Sequence, residues 1–178
     1  MNAVDEHGSL HATSTLWRAV EAHLGSRDVA RVIYGAILGL ALVVALEQHP
    51  PTAGQTVGAV VATALAVGLA EVYSEFVGAE ARERRHIRRA EVRTLAADAV
   101  AVTFGAGFPA LFFILAAAGV IELEAAFTLA KWTGLALICA YGFVAARLAG
   151  SARGAALLHA SALGAIGGAL IALKALLH

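Results

Sequence analysis

Residues 57–77 read VGAVVATALAVGLAEVYSEFV and run straight into residues 78–93, GAEARERRHIRRAEVR. The first stretch carries only Glu71 and Glu75 as charges. Wound as a helix rising about 1.5 Å per residue, it is long enough for a hydrocarbon core about 30 Å thick. The second stretch packs six arginines into residues 82–93 and belongs in water, because a guanidinium at the bilayer centre is costly. The junction between them therefore reads as a membrane boundary with its arginines on the wet side.

Working outward from that boundary, the same alternation fills the chain. All eleven arginines fall in three stretches, Arg18–Arg31, Arg82–Arg93 and Arg147–Arg153, and long apolar runs separate them. A hydrophobic content of 60% and a mean hydropathy of +0.76 exceed what a soluble domain of this size buries. The fold class this predicts is all-α: a polytopic integral membrane protein, a five-transmembrane-helix bundle with spans at about 29–47, 56–80, 95–121, 125–147 and 154–177. A cytoplasmic segment, residues 1–28, precedes that domain. It lacks a secretory apolar run, and within it Leu16, Val20 and Leu24 recur every four residues beside Trp17. This spacing predicts an amphipathic interfacial helix over 13–24, followed by Ser26-Arg27-Asp28 at the start of the first span.

Orientation follows from the basic residues. With the N-terminus in the cytoplasm, segments 1–31, 82–93 and 147–153 lie inside with all eleven arginines, and only Lys131 and Lys174 lie outside. Short loops rich in Lys and Arg stay cytoplasmic, so the C-terminal His178 is expected outside. The composition fits a bacterial inner, plasma membrane.

The turns and breaks can also be read. Pro50-Pro51 and Gly54 end the first span, and Glu122 and Glu124 separate the third from the fourth. Both connections are short, which predicts close antiparallel pairing of spans one and two and of spans three and four. Gly105, Gly107 and Pro109 predict a helix break inside the third span. Gly35 and Gly39, Gly150 and Gly154, and Gly164 and Gly168 are each four apart and mark surfaces of close helix approach; homo-oligomerisation is left open.

Several chemistries are excluded or unsupported. Cys139 is the single cysteine, so the chain has no disulfide framework or cysteine-based metal site, and its predicted role is packing. No phosphate-binding loop, zinc-ligand spacing or serine-nucleophile motif occurs; neither an enzyme nor a resident cofactor is expected. A formal net charge of zero gives no reason to expect a nucleic-acid partner.

What remains is ionisable groups at membrane depth. Glu71 and Glu75 lie one turn apart on one helical face, and Asp98, one turn into the third span, approaches the same layer from the same side. Such carboxylates suit a hard cation or a transferred proton, or they pair with Arg82, Arg85 or Arg93 at the interface. Glu47, beside His49, closes the first span at the outer end as a candidate access group. His159 reads as a structural histidine, and Lys131-Trp132 as an outer interfacial anchor. The loop residues Arg82, Arg84, Arg85, Arg88, Arg89 and Arg93 set topology and attract anionic headgroups or an acidic partner.

Five spans with an internal N-terminus, and a second helix leaving the membrane as Ser74-Glu75-Phe76-Val77-Gly78-Ala79-Glu80-Ala81-Arg82-Glu83, resemble the vacuolar iron transporter family. That resemblance implies exchange of divalent metal for protons, with Glu75 in place of the glutamate of the family's second-helix segment. The chain departs from the family in its first span, which reads Gly35-Ala36-Ile37-Leu38-Gly39-Leu40 without an Asp-Gly pair. Its loop after span two is short and basic where the family has a carboxylate-rich metal-binding region. The expected function is a cation or proton-coupled transporter using Glu71, Glu75 and Asp98. The competing expectation is a non-transporting scaffold or accessory subunit that binds a partner through its basic loop. In that case an arginine neutralises Glu71, and no hydrated path reaches it from both sides.

Overall fold

Pro50 and Pro51 deny the chain two backbone donors, and Thr52 restarts it as a helix N-cap. The Thr52 hydroxyl accepts from the Gln55 backbone amide at 3.3 Å, and the Gln55 side-chain Oε1 accepts from the Thr52 backbone amide at 3.1 Å. This reciprocal capping box starts the second helix at Ala53, three residues before the predicted boundary.

In the computed structural model the described residues are 26–84, 86 and 88–176. Among them all regular structure is helical: α1 (Ser26–Leu46), α2 (Ala53–Glu83), α3 (Arg89–Gly107), α4 (Ala110–Ala117), α5 (Leu123–Leu148) and α6 (Arg153–Leu176). The predicted interfacial helix at 13–24 lies outside the described residues. Three of the six helices, α1, α2 and α5, are long and apolar enough to cross a membrane, and the bent pair α3 and α4 makes a fourth span if counted as one.

Charged segments prolong the helices instead of forming a broad loop. At 31 residues, α2 is about 46 Å long, well beyond a hydrocarbon core. It ends where Arg84 adopts the left-handed conformation with φ 51°, and α3 begins at Arg89, where the Glu91 carboxylate accepts from the Arg88 amide at 3.1 Å. Predicted loop residues Arg82, Arg89 and Arg93 are therefore helical. Arginine and glutamate are good helix formers, so nothing in 80–93 stops a helix except the chain reversal itself.

The third predicted span is two helices meeting at 52°. The bend falls at Phe108 and Pro109, where Leu111 and Phe112 bond back three residues to Phe108 and Pro109 as the proline interrupts the regular ladder. Gly105, predicted to loosen this break, lies in the regular part of α3 and serves a different purpose. A β-carbon there would overlap the Val32 carbonyl oxygen and come 2.8 Å from the Ala36 amide nitrogen. Gly35 and Gly39 of α1 press on the Val102 and Ala106 backbone in the same way, so α1 and α3 touch backbone to backbone.

That contact makes α1 the centre of the molecule. Half of its apolar window is buried, against 22% for α2 and 28% for α5, and its main neighbours are α3 and α5. This differs from the predicted pairing: α1 and α2 share a short connection but touch little, and α3 meets α5 chiefly through α4. Close backbone approach at Gly35, Gly39 and Gly105, and not a short connection, decides the α1–α3 contact.

Two apolar clusters fill the bundle. Val43, Val60, Phe113 and Phe127 form one, with the phenyl rings edge to face at 4.8 Å. Ala36, Leu40, Val44 and Ile138 form the other, packed by Leu163 and Ile171 of α6. Among the remaining glycines, Gly164 faces the Cys139 sulfur, which gives the cysteine its predicted packing role. Gly150 closes α5 with φ 83° while Gly154 meets open space, so that pair is a turn and not a contact surface.

Candidate functional site

Three helices place charge at one level. Arg31 lies five residues into α1, Asp98 nine residues into α3, and Glu71 eighteen residues beyond the start of α2. At about 1.5 Å per residue, Glu71 sits about 27 Å from the α2 start, toward the far end of that helix. The helices run alternately up and down, so these unequal offsets converge on one layer.

There Arg31 is the hub. Its Nε donates to Glu71 Oε1 at 3.1 Å, its Nη1 lies 3.1 Å from Asp98 Oδ2, and its Nη2 lies 3.8 Å from Glu75 Oε1. The planar guanidinium suits this task because its donors diverge in a fixed fork toward partners on two different helices. The Arg31 side chain is 13% exposed, and those of Glu71 and Asp98 are 21% and 20% exposed. Nη1 is buried and its contact with Asp98 is ionic proximity without hydrogen-bond alignment. Arg82, at 70% exposure, approaches the other oxygen of Glu75 at 3.7 Å and contributes little in water.

The hub lines a recess of about 520 Å³ bounded by Ala30, Arg31, Glu71, Glu75 and Arg82. Two carboxylates and two guanidinium groups line it; with Asp98 counted, the cluster sets three carboxylates against two guanidinium groups, one formal negative charge in excess. Among the described residues, no three His, Cys, Asp or Glu side chains are arranged to hold a metal ion. The carboxylates turn toward Arg31 and do not form a common oxygen cage.

The predicted clustering of Glu71, Glu75 and Asp98 is thus present, and their principal counter-ion is one that sequence reading missed. Arg82 reaches only Glu75, Arg93 is exposed on α3, and Arg85 lies outside the described residues. In the sequence, Arg31 stands only among the topological charges. The available signal was its position: Arg31 falls inside the predicted span 29–47, close to the same end at which Asp98 enters the third span.

At the opposite end, Glu47 just beyond α1 receives a 2.6 Å hydrogen bond from Lys131 Nζ of α5. Both side chains are 18% exposed. Lys131, predicted to snorkel outward, instead reaches across to the end of α1, where a short charge-assisted bond satisfies its mostly covered ammonium. Neighbouring Trp132 stays exposed. Glu47 also borders a recess of about 440 Å³ with Pro50, Leu123, Glu124 and Phe127.

Other candidates stand apart from both ion pairs. His159 is exposed on α6, and Arg84, Arg88 and Arg93 are exposed at the hub's end of the bundle. His86 contacts Glu80 at 3.0 Å. Gly107 packs near Ala64, and Pro109 is buried at the α3–α4 bend. Comparison with protein-family models, with curated proteins and with solved structures gives no match for this chain.

Proposed function

We propose that this chain is a small integral membrane transporter for protons or a monovalent cation, with the Arg31, Glu71, Glu75 and Asp98 cluster as its site. The excess of carboxylate over guanidinium in this cluster, three against two once Asp98 is counted beside the recess, carries this reading. Close to lipid, an unbalanced negative charge calls for a compensating cation. Arg31 acts as a tethered cation that holds the site while it is empty. In this reading α1, α2, the bent pair α3–α4, α5 and α6 are the five spans. The arginine-bearing end faces the cytoplasm of a bacterial inner membrane, and the C-terminus faces outward.

The resemblance to vacuolar iron transporters enters only as organisation. Divalent metal is disfavoured as cargo by the absence, among the described residues, of three converging metal-ligating side chains. It is disfavoured further by the guanidinium already lying between the carboxylates.

A second reading, a non-transporting scaffold or accessory subunit binding its partner through the arginine-rich turn, is favoured by the 3.1 Å pairing of Glu71 with Arg31. Flux into proteoliposomes separates the two, measured for protons and a panel of monovalent and divalent cations. Wild-type flux of protons or a monovalent ion supports the transporter. Silence for every ion in folded, reconstituted protein supports the scaffold.

A further inference from the structure

The helix that carries Arg31 at one end leads into Glu47 at the other, and each of these groups borders its own recess. The first recess is lined by Ala30, Arg31, Glu71, Glu75 and Arg82, the second in part by Glu47 and Phe127. Between them α1 is dry: Val32, Ala36, Leu40 and Val43 are each at most 4% exposed. An ion passing between the recesses must therefore disturb this apolar column, and the charge pair above Val43 stands at its outer mouth.

The pair itself is unlike an anchor. A lysine needed only to hold α5 at the interface extends along the helix toward water. Lys131 instead reaches across to a residue 84 positions earlier in the chain, with both partners mostly covered. The bond ties α5 to the segment that closes α1, and it lies one turn above Val43, whose carbonyl oxygen accepts from the Glu47 amide at 3.0 Å.

Resting on the transporter reading above, we propose that the Glu47–Lys131 pair is the outer gate of the path, a lock that opens when α1 and α5 separate at this end. Lys131 is then a positioning residue that holds Glu47 over the column, and the Arg31 cluster closes the same helix at its inner end. With both locks formed, the structure is the state sealed at both ends.

The test is labelling of a cysteine placed under the lock. Val43→Cys in a Cys139→Ala background is exposed in intact cells to a membrane-impermeant thiol reagent. With the native pair the cysteine is protected. Lys131→Met removes the bond, and Glu47→Gln with Lys131→Met neutralises both of its charges; both are expected to lose protection. The exchanged pair, Glu47→Lys with Lys131→Glu, is expected to regain it. Persistent protection in the folded double-neutral variant, or labelling in the folded exchanged pair, overturns the gate. If labelling follows expectation but the wild type carries no ion, the gate stands as a seal and the transport reading fails.

Discussion

A guanidinium among three carboxylates makes each member depend on the others. Removing Arg31 leaves Glu71 and Asp98, both about four-fifths buried, without their main counter-ion, and breaking a buried pair from one side costs about 3–5 kcal/mol. Arg31→Met is therefore expected to lower the melting temperature in detergent sharply. Arg31→Lys should recover only part of the loss, because one ammonium cannot serve divergent partners as the fork does. Glu75→Gln, at a side chain 38% exposed, should cost under about 1 kcal/mol. Thermal melts of the three variants give the ranking, and equal losses at Arg31 and Glu75 would contradict the hub. At this scale the carboxylates were legible from periodicity and depth, since Glu71 and Glu75 share a face whatever packs against them. Their partner was not, because helix neighbours, which sequence does not specify, bring Arg31 within reach.

Among the elements, the α1–α3 contact decides the architecture. Gly35 and Gly105 meet opposing backbone that cannot yield, whereas Gly58 of α2 faces open space. Gly35→Leu or Gly105→Leu should abolish the folded, monodisperse protein, and Gly58→Leu should leave its melting temperature unchanged; size exclusion and melting read both. Pro109→Ala restores a donor at the bend, so spin labels at residues 95 and 118 are expected to move apart as α3 and α4 straighten from 52°. An unchanged distance would show that neighbouring helices, and not the proline, impose the angle. The break at 105–109 was legible because proline acts locally. The division of labour within it was not, since Gly105 answers to Val32 and Ala36 on another helix. The pairing of α1 with α3 and α5 was likewise hidden, because short connections fix proximity only at helix ends.

For the whole molecule, the arginine distribution makes sidedness testable. A C-terminal alkaline phosphatase fusion is expected to be active, and a C-terminal fluorescent-protein fusion dark, if the arginine-bearing end is cytoplasmic. The reverse pattern would invert the topology and place the Arg31 recess outside. Helix content and the apolar character of α1, α2 and α5 were legible because both follow from composition and run length. The closed ion pairs at the two ends of α1 emerge only in three dimensions, and they bear directly on whether anything crosses. The decisive measurement is proton and monovalent-cation flux in proteoliposomes for the wild type and Glu71→Gln side by side, with fold verified by melting. Flux in the wild type that is lost in the variant is the expected result. Equal flux in both proteins would remove the Arg31–Glu71 cluster from the path and contradict the proposed site.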